Sequence, residues 1–117
     1  MSTTTLYRPV GLKELELIQQ LEWRAFPPRL PQQPIFYPVL NEEYARQIAR
    51  DWNVRATGAG FVTRFEVNTE FFKRYPVRIV GASTHSELWI PAEDLHELNS
   101  SIVGTIVVIA EYRADSG

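Results

Sequence analysis

Four prolines crowd into nine residues of this chain, Phe26-Pro27-Pro28-Arg29-Leu30-Pro31-Gln32-Gln33-Pro34, and no regular element can pass through them. Each proline lacks the N–H that a helix interior or central strand must donate, and its ring collides with the preceding turn. Residues 26–34 are therefore expected to form an extended loop, with one strand and one helix before it and a richer set of elements after it. The spacing also suits polyproline recognition, so the loop reads either as a cover over the core or as a docking strip. Arg29 is the one charged residue within it.

Before the loop, residues 6–10 read as a short strand closed by Gly11. Leu12, Leu15 and Ile18, with Leu17 and Leu21, then keep the three-and-four spacing of an amphipathic helix. After the loop, residues 35–40 form a second apolar strand, and Asn41 is a natural N-cap with Glu42 and Glu43 in the first turn. The helix that follows is expected to bury Tyr44, Ile48 and Trp52, beside Ala45 and Ala49. Gly58 and Gly60 mark a turn before residues 61–67, a half-buried strand by its period-two alternation. Asn68 or Thr69 caps a short helix reaching Tyr75, residues 77–80 and 87–90 read as strands, and residues 93–98 as a helical turn or two. Gly104 leads into a last strand over residues 105–112.

This order predicts an α+β fold: a single small domain over residues 1–117, core at about 6–112 with fraying ends, and mixed, mostly antiparallel sheets with two main helices. Hydrophobic residues make up 44% of the chain, with 14 aromatics, enough to fill one core of this size. The absence of cysteine excludes disulfides and thiolate zinc sites, and two histidines are too few for a usual protein zinc cage, so no metal is expected. A net charge of -2 with scattered arginines argues against nucleic acid, and no apolar run suggests a membrane span. A cytoplasmic location is the default expectation. The phosphate-loop, dinucleotide, nucleophile-elbow and HExxH zinc motifs are all absent.

Three strands carry a polar residue in an apolar setting: Arg8 in Leu6-Tyr7-Arg8-Pro9, Tyr37 in Ile35-Phe36-Tyr37-Pro38, and Glu87 in Glu87-Leu88-Trp89-Ile90-Pro91. Such groups must face solvent, find a partner or line a cleft. In this order they resemble the ADP-ribosyltransferase-like superfamily, with a cation on the first strand, an aromatic on a strand running into a helix, and a glutamate on a late strand. Residues 6–15, 26–52 and 87–95 also resemble small bacterial proteins labelled "ADP-ribosylation/crystallin J1". The second half of that label implies the metal-binding aspartate clusters of a glycohydrolase, which this chain lacks. The Glu-x-Glu of arginine-modifying transferases is likewise absent, because position 85 is histidine.

The resemblance implies an ADP-ribosyltransferase-like fold and a site for NAD or an ADP-ribose-like ligand, with NAD consumed as substrate by a transferase or glycohydrolase and a protein as possible acceptor. Glu87 would be catalytic, stabilising positive charge on the ribose as the nicotinamide bond breaks. Arg8 would bind phosphate or ribose oxygens and Tyr37 would stack on nicotinamide, with Arg29 near the pyrophosphate and His85 on the acceptor side. The same residues also have ordinary readings: an Arg8–Glu87 cross-strand ion pair, a core tyrosine and a turn histidine. The alternative function is a non-catalytic protein-interaction module that uses the proline loop and exposed aromatics such as Trp23 or Trp89. His96 with Glu93 and Asp94 reads as a solvated helix face.

Overall fold

The computed structural model describes residues 2–81 and 85–114. Its elements are β1 (Thr3–Gly11), α1 (Leu12–Gln20), β2 (Ile35–Phe36), α2 (Glu42–Ile48), α3 (Val54–Thr57), β3 (Ala59–Asn68), α4 (Thr69–Phe72), β4 (Arg78–Ile79), β5 (Ser86–Glu87), β6 (Ile90–Pro91), α5 (Leu95–Ser101) and β7 (Ile102–Arg113). A π-helical turn, Ala49–Asn53, joins α2 to α3 without leaving helical backbone, and a 3-10 turn, Ala92–Asp94, leads into α5. The strands pair antiparallel in the orders β1-β3-β7, β2-β6 and β4-β5, an α+β arrangement. Among the described residues no helix is long and apolar enough to cross a membrane. The fraying expected at the C-terminal end falls on residues 115–117, and part of the polar turn after Gly81 on residues 82–84; both lie outside the described residues.

The alternation over residues 61–67 holds at Phe61, Thr63, Phe65 and Val67, all buried, against exposed Arg64 and half-buried Glu66, and departs only at Val62. β3 lies between β1 and β7, and Phe61, Val62, Thr63, Phe65 and Val67 are all buried. Phe61, Phe65 and Val67 enter the larger core with Leu6, Ile18, Phe26 and Phe36. Val62 points the other way, into a second core with Val39, Ala45 and Ala49. The helical segment covers the second face only around Val62; farther along, that face carries exposed Arg64 and half-buried Glu66.

The second core depends on a close backbone contact. Gly60 is a residue of β3 rather than part of the turn before it, and a Cβ built there would lie 2.1 Å from the carbonyl oxygen of Ala49. Only glycine lets the π-helical turn sit so low on the sheet. The helix is seated on its small residues, with Ala45 and Ala49 fully buried. The Tyr44–Ile48–Trp52 stripe is thereby turned aside: Tyr44 and Ile48 are half-buried and Trp52 is 74% exposed, against the expected burial of all three. The turn before β3 belongs to Gly58, at φ 84°. Asn41 caps α2 as its sequence position predicts, its Oδ1 accepting the Tyr44 N–H at 3.0 Å.

The second apolar strand is longer than β2 alone. Ile35 opposes Pro91, Phe36 opposes Ile90 and Val39 opposes Glu87, one constant register. Backbone bonds at Ala92 N to Pro34 O and Leu40 N to Ser86 O extend the same ladder at both ends, and Leu88 N to Pro38 O fills its middle. Pro34 and Pro38 occupy hydrogen-bonding positions and have no N–H to return, so the ladder is thinned without losing register. Tyr7 then exchanges both backbone bonds with Val39, joining this ribbon to β1. Residues 25–30 have no regular structure, as their prolines require, and Phe26 anchors them in the larger core.

Two other expectations are corrected. Gly104 is inside β7, at φ 80°, where the pairing slips from Arg64↔Val107 to Glu66↔Val103; it makes a bulge instead of opening the strand. Trp23 is half-buried against the larger core and its carbonyl accepts the Ile106 N–H at 2.7 Å, so it is not a free surface aromatic.

Gly60 and Gly58 predict different costs of substitution. Gly60→Ala should destabilise the protein by about 3 kcal/mol or more, because the clash is with backbone. Gly58→Ala meets open space and bears only left-handed strain, about 1 kcal/mol. Urea denaturation midpoints for the two variants check the ranking; equal losses would contradict the close contact.

Candidate functional site

The register of residues 34–40 against 86–92 sets the site's floor. Val39 opposes Glu87, so two residues along each strand Tyr37 opposes Trp89, and all four side chains leave one face of the ribbon. The rings of Tyr37 and Trp89 meet edge to face, centroids 6.1 Å apart at 84°. Tyr44, Ile48 and Trp52, four residues apart on the helix and its π-helical turn, supply the facing wall. Between them lies a cleft of about 700 Å³, completed by Arg8 and Val80. That volume falls within the range of small-ligand sites. A π-helical turn, which often occurs at functional sites, carries the outermost wall residue, Trp52.

Glu87 is the acidic residue of this lining and only 8% exposed. The Trp89 indole N–H donates to its Oε1 at 2.7 Å, and the Tyr44 hydroxyl donates to its Oε2 at 3.3 Å. Among the described residues neither oxygen is in an ion pair. The carboxylate is held by two neutral donors at a partly dry site. Burial raises the pKa of the Tyr44 phenol above the ordinary tyrosine value, and the charge of Glu87 and its hydrogen bond raise it further. His85 stacks on Tyr44, ring centroids 4.2 Å apart and 9° from parallel, and so buttresses that wall residue.

Arg8 reaches the cleft from the opposite side of β1, in the buried row of Leu6 and Val10. Its partner is Glu14 of α1: Nε and Nη2 donate to the two carboxylate oxygens at 3.0 and 2.9 Å. The guanidinium lies 4.6 Å from the centre of the Phe36 ring, and Nη1 donates to the Tyr37 carbonyl at 3.4 Å. The Arg8–Glu87 ion pair considered from the sequence is therefore not the one formed. A strand followed at once by a helix that turns back over it brings residues 8 and 14 together, which neither strand nor helix spacing announces.

Arg29 is not in the cleft lining. Its Nη2 donates to the Ile35 carbonyl at 3.0 Å, its guanidinium is 5.6 Å from the Phe36 ring centre, and its Nε is buried without a partner among the described residues. Burial, and then the positive charge of Arg8, lower its pKa from the ordinary arginine value. The structure thus brings Arg8, Tyr37 and Glu87 to one cleft and leaves His85, stacked on Tyr44, and Arg29, beside Phe36, outside its lining. His96 is exposed, as expected of a solvated helix face, while Asp94 accepts the Tyr75 hydroxyl at 2.8 Å.

The sequence reading missed Tyr44, Trp52 and Trp89 as lining residues. The first two keep helical spacing, which reads as core, and Trp89 sits two residues from Glu87, the period that places both on one strand face. Among the described residues no group of three His, Asp or Glu side chains is placed to hold a metal. No family model, curated protein or solved structure matches the chain.

Two measurements test these contacts. A double-mutant cycle with Arg8→Met and Glu14→Gln should give about 1–2 kcal/mol of coupling, since the pair is bidentate with side chains only 12% and 21% exposed; coupling near zero would contradict it. For Tyr44, a phenol pKa raised by folding gives stability that is complete below the ordinary value of 10.0 and is lost as pH rises through the raised value. The stability advantage of the native chain over Tyr44→Phe should therefore shrink across that alkaline window, as followed by denaturation at several pH values.

Proposed function

We propose that the chain is an ADP-ribosyltransferase-like protein that binds NAD in the aromatic cleft and cleaves its nicotinamide–ribose bond. The observation that carries this reading is Glu87: a buried carboxylate, held by neutral donors, among the aromatic walls of a ligand-sized cleft. Bond cleavage sends the bonding pair to the nicotinamide nitrogen and leaves a positive charge shared by the anomeric carbon and ring oxygen. A carboxylate whose charge no cation has already compensated stabilises that state most.

The other residues take roles that fit their surroundings. Tyr37 and Trp89 present an aromatic corner to a flat ring. Arg8 is fixed by Glu14 and keeps Nη1 at the cleft, where it would meet a ribose or phosphate oxygen. Arg29, beside Phe36 and outside the cleft lining, adds positive charge near Arg8. His85, stacked on Tyr44 and outside the cleft lining, supports that wall residue; the acceptor, either a protein side chain or water, bonds to the anomeric carbon and gives up its proton to solvent.

The alternative of a non-catalytic interaction module draws on the exposure of Trp52 and Ile79, at 74% and 63%. The two readings separate on NAD turnover. The native chain should release nicotinamide from NAD, and Glu87→Gln should slow that release by about a hundredfold or more while keeping its unfolding temperature. NAD should also raise the unfolding temperature of the native chain, because a ligand of the folded state alone adds to stability. No release and no thermal shift at millimolar NAD would favour the interaction module.

A further inference from the structure

The cleft has an electrostatic character that the NAD reading does not by itself require. Its positive residue, Arg8, is bound at two nitrogens by Glu14, and one of its two Nη1 hydrogens points to the Tyr37 carbonyl. Its negative residue, Glu87, receives only the indole N–H of Trp89 and the hydroxyl of Tyr44. Glu87 thus has no ion-pair partner among the described residues, and aromatic rings from Tyr37, Tyr44, Trp52 and Trp89 line the cleft with it. The electron-rich faces of such rings attract cations, tryptophan most strongly. Trp89 already does so on the protein's own account: the Arg78 guanidinium lies 4.4 Å from its ring centre.

The type of cation follows from the hydrogen bonding. A primary ammonium brings three N–H donors that must be satisfied once water is expelled. Here each carboxylate oxygen already accepts one bond, the other polar groups of the lining are the Tyr37 and Tyr44 hydroxyls and the Arg8 guanidinium, and the rest is aromatic or aliphatic carbon, so three ammonium donors would have to share few acceptors. A cation without N–H groups loses nothing on entering such a site. We infer that the cleft is selective for organic cations whose charge sits on a fully substituted nitrogen, a pyridinium or a quaternary ammonium, with Glu87 as the charge-reading residue and the four aromatics as the enclosure. The ring end of oxidised NAD is one such group, and to that extent the inference rests on the proposed function; a trimethylammonium group is another source of the same chemistry.

Calorimetric or tryptophan-fluorescence titrations of the whole chain test it with four probes: the N-methylated nicotinamide cation, neutral nicotinamide, tetramethylammonium, and NAD. The methylated cation should bind about tenfold or more tightly than nicotinamide, its neutral near-isostere. Glu87→Gln should bring that ratio close to one, and Trp89→Phe, which keeps an aromatic face but removes the indole donor, should lower it only in part. Tighter binding of the methylated ring than of tetramethylammonium supports the pyridinium source, and the reverse supports an alkylammonium source. Equal binding of the charged and neutral rings, no binding of either, or a charge preference that survives Glu87→Gln would each overturn the inference. Its fate is separable from that of the proposed function. A charge preference with NAD neither released nor bound more tightly than the methylated ring keeps the inference and removes the enzyme. Glu87-dependent nicotinamide release without charge preference does the opposite.

Discussion

Tyr7 and Val39 exchange both backbone hydrogen bonds, at 2.9 and 2.8 Å, and through that pair the ribbon of residues 34–40 and 86–92 becomes an extension of β1. Val39 stands in the middle of the arrangement. On one side it is fixed to the best-buried sheet of the molecule, on the other it faces Glu87, and its own side chain belongs to the second core with Ala45, Ala49 and Val62. The strand that bears the carboxylate is thus attached to the same residue that packs under the helix bearing Tyr44 and Trp52. Floor and wall are coupled through one position, and a slip of one residue in its pairing would turn Glu87 into the interior or away from the cleft.

The helix side is set by size, not polarity. Ala49 can meet the backbone of Gly60 because neither carries bulk, and the close seating of the π-helical turn rolls the larger residues toward the cleft. Small residues at a helix–sheet contact and large ones beside an opening are two results of one packing choice. The outcome is an apolar cleft whose wall, at Trp52, remains largely uncovered.

Much of the element order is legible in the chain itself. The Asn41 cap, the prolines of residues 26–34 and the alternation over residues 61–67 each act locally, so local rules find them. Polar groups in apolar strands single out Arg8, Tyr37 and Glu87 one by one, each of which must face solvent, find a partner or line a cleft, whereas placing the three in one cleft rests on the family resemblance. What stayed hidden depends on contacts between distant segments. Gly60 looks like a turn residue until the helix that needs its missing side chain is placed on it. Trp52 looks like core because helical spacing counts residues on a stripe and cannot say whether the stripe faces a sheet or a gap. Glu14 looks like an ordinary first-turn helix acid, and its bidentate grip on Arg8 exists only because α1 folds back along β1.

Charge organisation links these geometric facts to the proposed chemistry: the guanidinium is neutralised by Glu14 and the carboxylate is left to the ligand. The chain's three tryptophans report on that claim directly, because their indole N–H signals resolve by NMR and sit in different surroundings. Trp89 donates to Glu87, Trp52 rims the cleft, and Trp23 lies apart beside Ile106 and Val107. Titration with NAD should move the Trp89 signal most, the Trp52 signal with it, and leave Trp23 in place. A shift confined to Trp23, or three signals unmoved at saturating ligand, would contradict the account.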